Sequence, residues 1–255
     1  MKRRIAIVAL CLALCLPTGC GQKSEGVELT VFAAASLTET LTQLGEAYTA
    51  AHPQVRIIFN FDSSGTLKRQ IEEGAQCDIF ISAGQKQMDE LEGVVPDSRF
   101  DILENKVALA VPEGNPAGIR SYDDLAAALR RGELLLAIGN ADVPVGQYTQ
   151  KILTYYGLQE AELASSVTYG SNVKEVTTQV SEGMVDCGII YQTDAFSAHL
   201  TVVDTASAEM CGQVIYPAAI LERCEVRAEA QAFLQYLTGE AGDKVFAAVG
   251  FTPIA

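Results

Sequence analysis

Short apolar runs alternate along the chain with segments in which apolar residues recur every three or four positions. A strand-like run at 29–33 precedes helical spacing over 37–50. Runs at 55–61 and 78–81 precede helices over 67–73 and 85–91. A further run at 107–111 stops at Pro112. Ser121 and Asp124 are then spaced to cap a helix over 123–130. Strands at 134–138 and 167–169 alternate with helices over 147–156 and 174–182. Strands at 188–191, 201–203 and 214–220 precede closing helices over 228–237 and 240–249. Such alternation predicts an α/β protein whose sheets are mostly parallel and flanked by helices. Ligands of such sheets gather at the carboxyl ends of the strands, where helix N-termini point.

The N-terminus follows a different pattern. Lys2, Arg3 and Arg4 precede an apolar run over 5–16, and Pro17, Thr18 and Gly19 lead into Cys20. Charged, then apolar, then small residues spell a secretory signal over 1–19, with an apolar run too short for a comfortable membrane span. A cysteine at this point resembles the lipobox of bacterial lipoproteins. Cys20 would then carry lipid and 20–26 would form a tether, whereas ordinary cleavage would leave Cys20 a bystander.

Composition narrows the function. The chain has 255 residues, 49% of them hydrophobic and 20% charged, which suits a globular protein with a sizeable core. Its formal charge is −14, and losing the three N-terminal cations brings the mature chain nearer −17. So acidic a chain lacks the basic footprint that nucleic acid requires. An anion would have to be held by local dipoles against the protein's own field. Of seven cysteines, Cys11, Cys15 and Cys20 belong to the leader. The others show no zinc-ligand spacing. Cys211 and Cys224 flank one apolar run and could pair as a disulfide outside the cytoplasm. Cys77 and Cys187 each precede an apolar run and read as buried thiols.

The chemistry lies in the turns between strand and helix. Ser36 follows Ala33-Ala34-Ala35 and is spaced with Glu39 as a capping box. Asp62-Ser63-Ser64-Gly65-Thr66 places three hydroxyls and a glycine before a helix. Val143-Pro144-Val145-Gly146 and Gly170-Ser171-Asn172-Val173 open two more. Tyr191 ends an apolar strand, where its hydroxyl could face a cleft or its ring could simply pack. Each turn taken alone has a plain structural reading as a capped helix start. Together they would bring several helix N-termini, each with hydroxyls or glycine, onto one small anion. His52 and His199 lie in no catalytic frame, and no Gly-x-Ser-x-Gly elbow, phosphate-binding GxxxxGK[ST] loop or HExxH is present.

These residues resemble the periplasmic molybdate-binding proteins of ABC transporters. The likeness runs through Val31–Thr38, Phe61–Leu67, Arg69–Glu72, Asp78–Ala83, Val143–Tyr148, Asn172–Lys174, Gly188–Ala195, Tyr216-Pro217 and Gly250-Phe251, in order across nearly the whole mature chain. The resemblance implies a two-lobed, type II periplasmic-binding-protein fold, with lobes at 27–108 plus 209–255 and at 109–208, closing on ligand. It also implies an oxyanion site in which Ser36 and Ser64 give hydroxyls, Val145 and Val173 give backbone N–H groups and Tyr191 gives its phenol. The implied ligand is molybdate or tungstate with no cofactor, bound by a non-enzymatic monomer. That monomer would be extracytoplasmic, anchored to the outer face of the cell membrane or periplasmic, and would deliver to a membrane permease. Nothing in the sequence fixes the cavity radius, so sulfate, thiosulfate or phosphate remain alternatives on the same fold. A secreted hydrolase working from a serine is the reading from another class.

Overall fold

The computed structural model describes residues 26–255; the leader, Cys20 and the tether up to residue 25 lie outside the described residues. The first lobe begins with β1 (Val27–Ala34), α1 (Thr38–Ala51), β2 (Val55–Asp62) and α2 (Ser64–Glu72). It continues through β3 (Ile79–Ile81), α3 (Gln85–Asp89) and β4 (Phe100–Asn105). After the single residue Lys106 the chain crosses into a second lobe. This holds β5 (Val107–Val111), α4 (Tyr122–Arg131), β6 (Leu136–Gly139), α5 (Pro144–Tyr155), β7 (Val167–Gly170), α6 (Val173–Ser181), β8 (Cys187–Tyr191), α7 (Gln192–Ser197) and β9 (Thr201–Thr205). It returns through α8 (Ala208–Cys211) to β10 (Val214–Ile220), α9 (Arg227–Leu237), α10 (Glu240–Ala248) and β11 (Thr252–Pro253).

Two sheets result. One has the order β11-β4-β10-β3-β1-β2 and the other β7-β6-β8-β5-β9. Both are mixed, which corrects the expectation of mostly parallel sheets. β1 runs parallel to β2 and β3, and β6 runs parallel to β7 and β8. The strands that enter from the other lobe run the opposite way: β10 is antiparallel to β3 and β4, and β5 to β8 and β9. A chain that leaves one sheet for the other and comes back must arrive head-on to the strands it joins. The crossing falls at Lys106, so Val107 and Ala108, expected in the first lobe, pair in the second sheet.

The sequence explains why these strands are inside. All five residues of β5 are buried, and Ile79, Phe80 and Ile81 of β3 are fully buried between β1 and β10. Both are continuous apolar runs, the signature of strands covered on both faces. Helices α1, α9 and α10 pack together on one side of the first sheet's β2 and β10, and α5 and α6 cover the second sheet. α4 forms as its sequence predicts. Ser121 accepts from the Asp124 amide at 3.1 Å, acidic Asp123 and Asp124 face the helix start, Arg130 and Arg131 face its end, and Gly132 closes it with φ +66°.

The possible Cys211–Cys224 disulfide does not form; both are free, buried thiols. They flank the seven residues of β10, and an extended strand of that length spans roughly 23 Å. Disulfide partners need Cα atoms within about 7 Å. Flanking one strand is therefore what keeps these two apart. Cys77 and Cys187 are buried as expected, and burial pushes the Cys187 thiol up to about 12.

Candidate functional site

The carboxyl ends of β1, β2, β6, β7 and β8 meet between the lobes. A small cavity there is lined by Ser36, Ser64, Val145, Val173 and Tyr191, all five of the residues singled out from sequence, together with small neighbours such as Ala35 and Ala83. None of its lining side chains carries a charge. A larger groove beside it, bounded by Gln85, Lys86, Gln150 and Lys151, is open to solvent and carries two lysine side chains.

Each donor is placed by local structure. Ser63 caps α2 by accepting from the Thr66 amide at 3.2 Å, which puts Ser64 at the first helical position. The Ser64 hydroxyl oxygen accepts the Ala83 amide at 2.9 Å. Pro144 occupies the first position of α5, so the first free amides of that helix are those of Val145 and Gly146. Asn172 caps α6 by accepting from the Glu175 amide at 3.1 Å, leaving the Val173 amide at the helix start. Amides in a first turn have no intrahelical acceptor, and the helix dipole adds to their pull on an anion.

Ser36 departs from expectation. It does not cap α1 with Glu39; no side chain caps that helix or the short turn before it. The Ser36 hydroxyl instead lies 2.9 Å from the Tyr216 hydroxyl, and Glu39 pairs with Lys174. The phenol of Tyr216, fully buried, is also 3.2 Å from the Asn105 amide nitrogen, which donates to Thr193 as well at 2.9 Å. Sequence reading gave no role to Tyr216 and passed over Asn105. The available signals were a tyrosine inside an apolar strand and an asparagine at its partner's end.

Tyr191 reaches across from the second lobe, its hydroxyl only 3.5 Å from the Ala83 carbonyl. That contact is at the limit of a hydrogen bond, so the hydroxyl hydrogen is available to a guest. Burial, reinforced by Tyr216 and Tyr148, pushes the phenol far above its ordinary range, so it stays protonated as a donor.

Charges sit outside this ring. Arg69 of the first lobe pairs with Asp142 of the second, and Lys174 of the second with Glu39 of the first at 2.8 Å. Asn172 also donates to Asp62 across the gap at 3.3 Å. These contacts hold the lobes against each other around the cavity. Lys174 also lies 3.2 Å from Asp194, whose side chain is fully buried. Burial pushes the Asp194 carboxyl up to about 6 against the opposing pull of Lys174. Burial pulls the Lys174 ammonium down, but Asp194 and Glu39 more than offset it, leaving it above its ordinary value.

The linkage follows from the direction of the Asp194 shift. Between its ordinary 3.8 and about 6 the folded chain holds a proton that the unfolded chain releases. Asp194 therefore favours folding below that window, and the contribution is lost as pH rises through it. Asp194→Asn keeps the shape without the titration. Its denaturant-unfolding free energy is expected to fall less than the wild type's across this window; parallel curves would place the titration elsewhere.

Two α/β lobes joined by crossing strands, with a pocket between them, are the architecture of a solute-binding protein. Comparison with known proteins agrees with that class. Residues 29–252 match the family described as bacterial extracellular solute-binding protein, and the chain belongs to that family. It is 32% identical over 262 residues to the putative ABC transporter substrate-binding lipoprotein YvgL of Bacillus subtilis, covering 98% of each chain. It is 32% identical over 241 residues to the molybdate-binding protein ModA of Haemophilus influenzae, covering 90% of this chain and 91% of that one. Among solved structures it resembles the substrate-binding domain of a putative molybdenum ABC transporter from Clostridium difficile. The TM-score is 0.67 and the identity 31%, over 90% of this chain and all of that one.

Proposed function

We propose that this chain is the binding component of an ABC importer, that it captures molybdate, and tungstate with it, between its lobes, and that it delivers the anion to a membrane permease. The observation that carries this reading is the cavity between the lobes, where Ser36, Ser64, Val145, Val173 and Tyr191 converge with no charged side chain among its lining. A dianion can be held there without a formal countercharge, because each hydrogen bond to a charged group contributes about 1.5–3 kcal/mol. Neutral donors also suit a chain whose net charge is −14. The relatives named for molybdate favour that anion over sulfate, thiosulfate or phosphate.

Binding is not turnover in this reading. Ser36 meets a phenol that burial keeps protonated and Ser64 an amide, neither of them a base, and His52 packs at a tilt against Tyr48 away from the site. We assign the protein to the outer face of the membrane, as a monomer held through lipid on Cys20. The basis is the leader sequence and the lipoprotein named among its relatives.

Calorimetric competition tests the ligand. Molybdate and tungstate are expected to bind with similar affinity and to displace sulfate and phosphate. Tight sulfate or phosphate binding with no heat from molybdate would overturn the assignment.

A further inference from the structure

We propose that Asn105 and Tyr216 form a one-way hydrogen-bond relay that fixes Ser36 as a donor to the bound anion, so that the site favours oxyanions carrying no hydrogen. The inference rests on the reading of the cavity as an oxyanion site.

The direction follows from counting hydrogens. The Asn105 carboxamide oxygen accepts the Lys106 backbone amide at 2.8 Å, which fixes the orientation of the group. Its nitrogen therefore faces Thr193 and Tyr216, and its two hydrogens serve the Thr193 hydroxyl at 2.9 Å and the Tyr216 hydroxyl at 3.2 Å. An amide nitrogen only donates, so the Tyr216 oxygen accepts. The phenol's one hydrogen then has the Ser36 oxygen, 2.9 Å away, as its partner. Tyr216 and Asn105 are buried, at 0% and 3% exposure, so a reversed arrangement would leave the phenol hydrogen unpaired away from water. Ser36 thus receives the phenol hydrogen. Its own hydrogen has no acceptor among the described residues and is free to point into the cavity it lines.

Ser64 is polarised the same way. Its oxygen takes the Ala83 amide hydrogen from behind at 2.9 Å, leaving the hydroxyl hydrogen for the cavity. With the Val145 and Val173 amides and the protonated Tyr191, the lining presents hydrogens from several directions. Molybdate, tungstate and sulfate at neutral pH can only accept. Hydrogenphosphate must also place a hydrogen of its own, and on each serine oxygen one of the two accepting positions is already filled from behind. The relay starts at the crossing between the lobes, because Asn105 ends β4 with only Lys106 between it and β5.

A double-mutant cycle reads the relay. Ser36→Ala is expected to weaken molybdate binding roughly ten- to a hundredfold, the loss of one hydrogen bond to a charged group. Tyr216→Phe keeps the ring packed against Tyr191 and Phe251 and is expected to weaken binding about tenfold. Because Tyr216 acts through Ser36, the double variant is expected to bind no worse than Ser36→Ala alone. Tyr216→Phe also returns to the Ser36 oxygen the accepting position that the phenol fills. At mildly alkaline pH, where inorganic phosphate is a dianion bearing one hydrogen, its preference for molybdate over phosphate is therefore expected to fall. Mere displacement of Ser36 would weaken both ligands alike. Should Tyr216→Phe fail to fold, Asn105→Ala removes the fixed direction with the phenol in place and runs through the same cycle. Multiplying losses and an unchanged molybdate-to-phosphate preference would overturn the relay while leaving the site intact. A wild-type chain that binds none of molybdate, tungstate and sulfate would instead remove the oxyanion reading, and the relay with it.

Discussion

Gly146→Ala is expected to abolish oxyanion binding and to destabilise the fold by about 3 kcal/mol. Gly146 is the third residue of α5, directly after Val145. A Cβ built there would lie 2.2 Å from the Asn140 carbonyl oxygen and 2.3 Å from that of Gly139. Both atoms are backbone of the same lobe, in the turn that delivers the Val145 amide. That turn has little slack: the Asn140 amide donates to Gly170 at 3.0 Å and the Val143 amide to Asn140 at 3.0 Å. Relief requires moving either the end of β6 or the start of α5, and both carry the cavity wall. Thermal unfolding and calorimetry on the same sample check the two effects together. Wild-type stability with wild-type affinity would mean that the turn yields, and that the placement of Val145 is less constrained than the contacts imply.

Gly65→Ala meets an equally short contact with a different outcome. Its Cβ would lie 2.2 Å from the Asp142 carbonyl oxygen, which belongs to the other lobe. Two lobes that swing apart relieve this clash without disturbing either core, so the unliganded variant is expected to unfold within a few degrees of wild type. Ligand affinity is expected to fall at least ~100-fold. Holding the lobes apart withdraws the Val145 and Val173 amides, and two hydrogen bonds to a charged group contribute about 3 kcal/mol. Small-angle scattering separates the causes. Wild type is expected to compact on adding molybdate, and Gly65→Ala to remain extended. A variant that compacts and binds normally would show that residues 141–143 give way.

The pair also shows what sequence could convey. The helix starts were legible because their chemistry is local: Ser63, Asn172 and Pro144 are helix-start residues whatever surrounds them. The five lining residues followed from those starts and from the family resemblance, and the structure gathers them around one cavity. What escaped depends on partners far apart in sequence. Ser36 looked like a helix cap until Tyr216, 180 residues away, took its hydroxyl. β4 was missed because Asp101, Glu104 and Asn105 break its apolar pattern, although its partners β10 and β11 bury Ile102 and Leu103. Strand direction was misjudged for the same reason, since the β–α alternation does not record which strands arrive from the other lobe. The Cys211–Cys224 pairing failed because adjacency to one strand says nothing of the distance along it.

Anomalous diffraction at the molybdenum edge, from crystals grown with molybdate, addresses the central claim most directly. The predicted result is a single strong peak between the lobes, with its oxygens hydrogen-bonded to Ser36, Ser64, Tyr191 and the amides of Val145 and Val173. A peak elsewhere, or one gripped by the side chains of Lys174 or Arg69, would contradict the claim that neutral donors alone hold the anion.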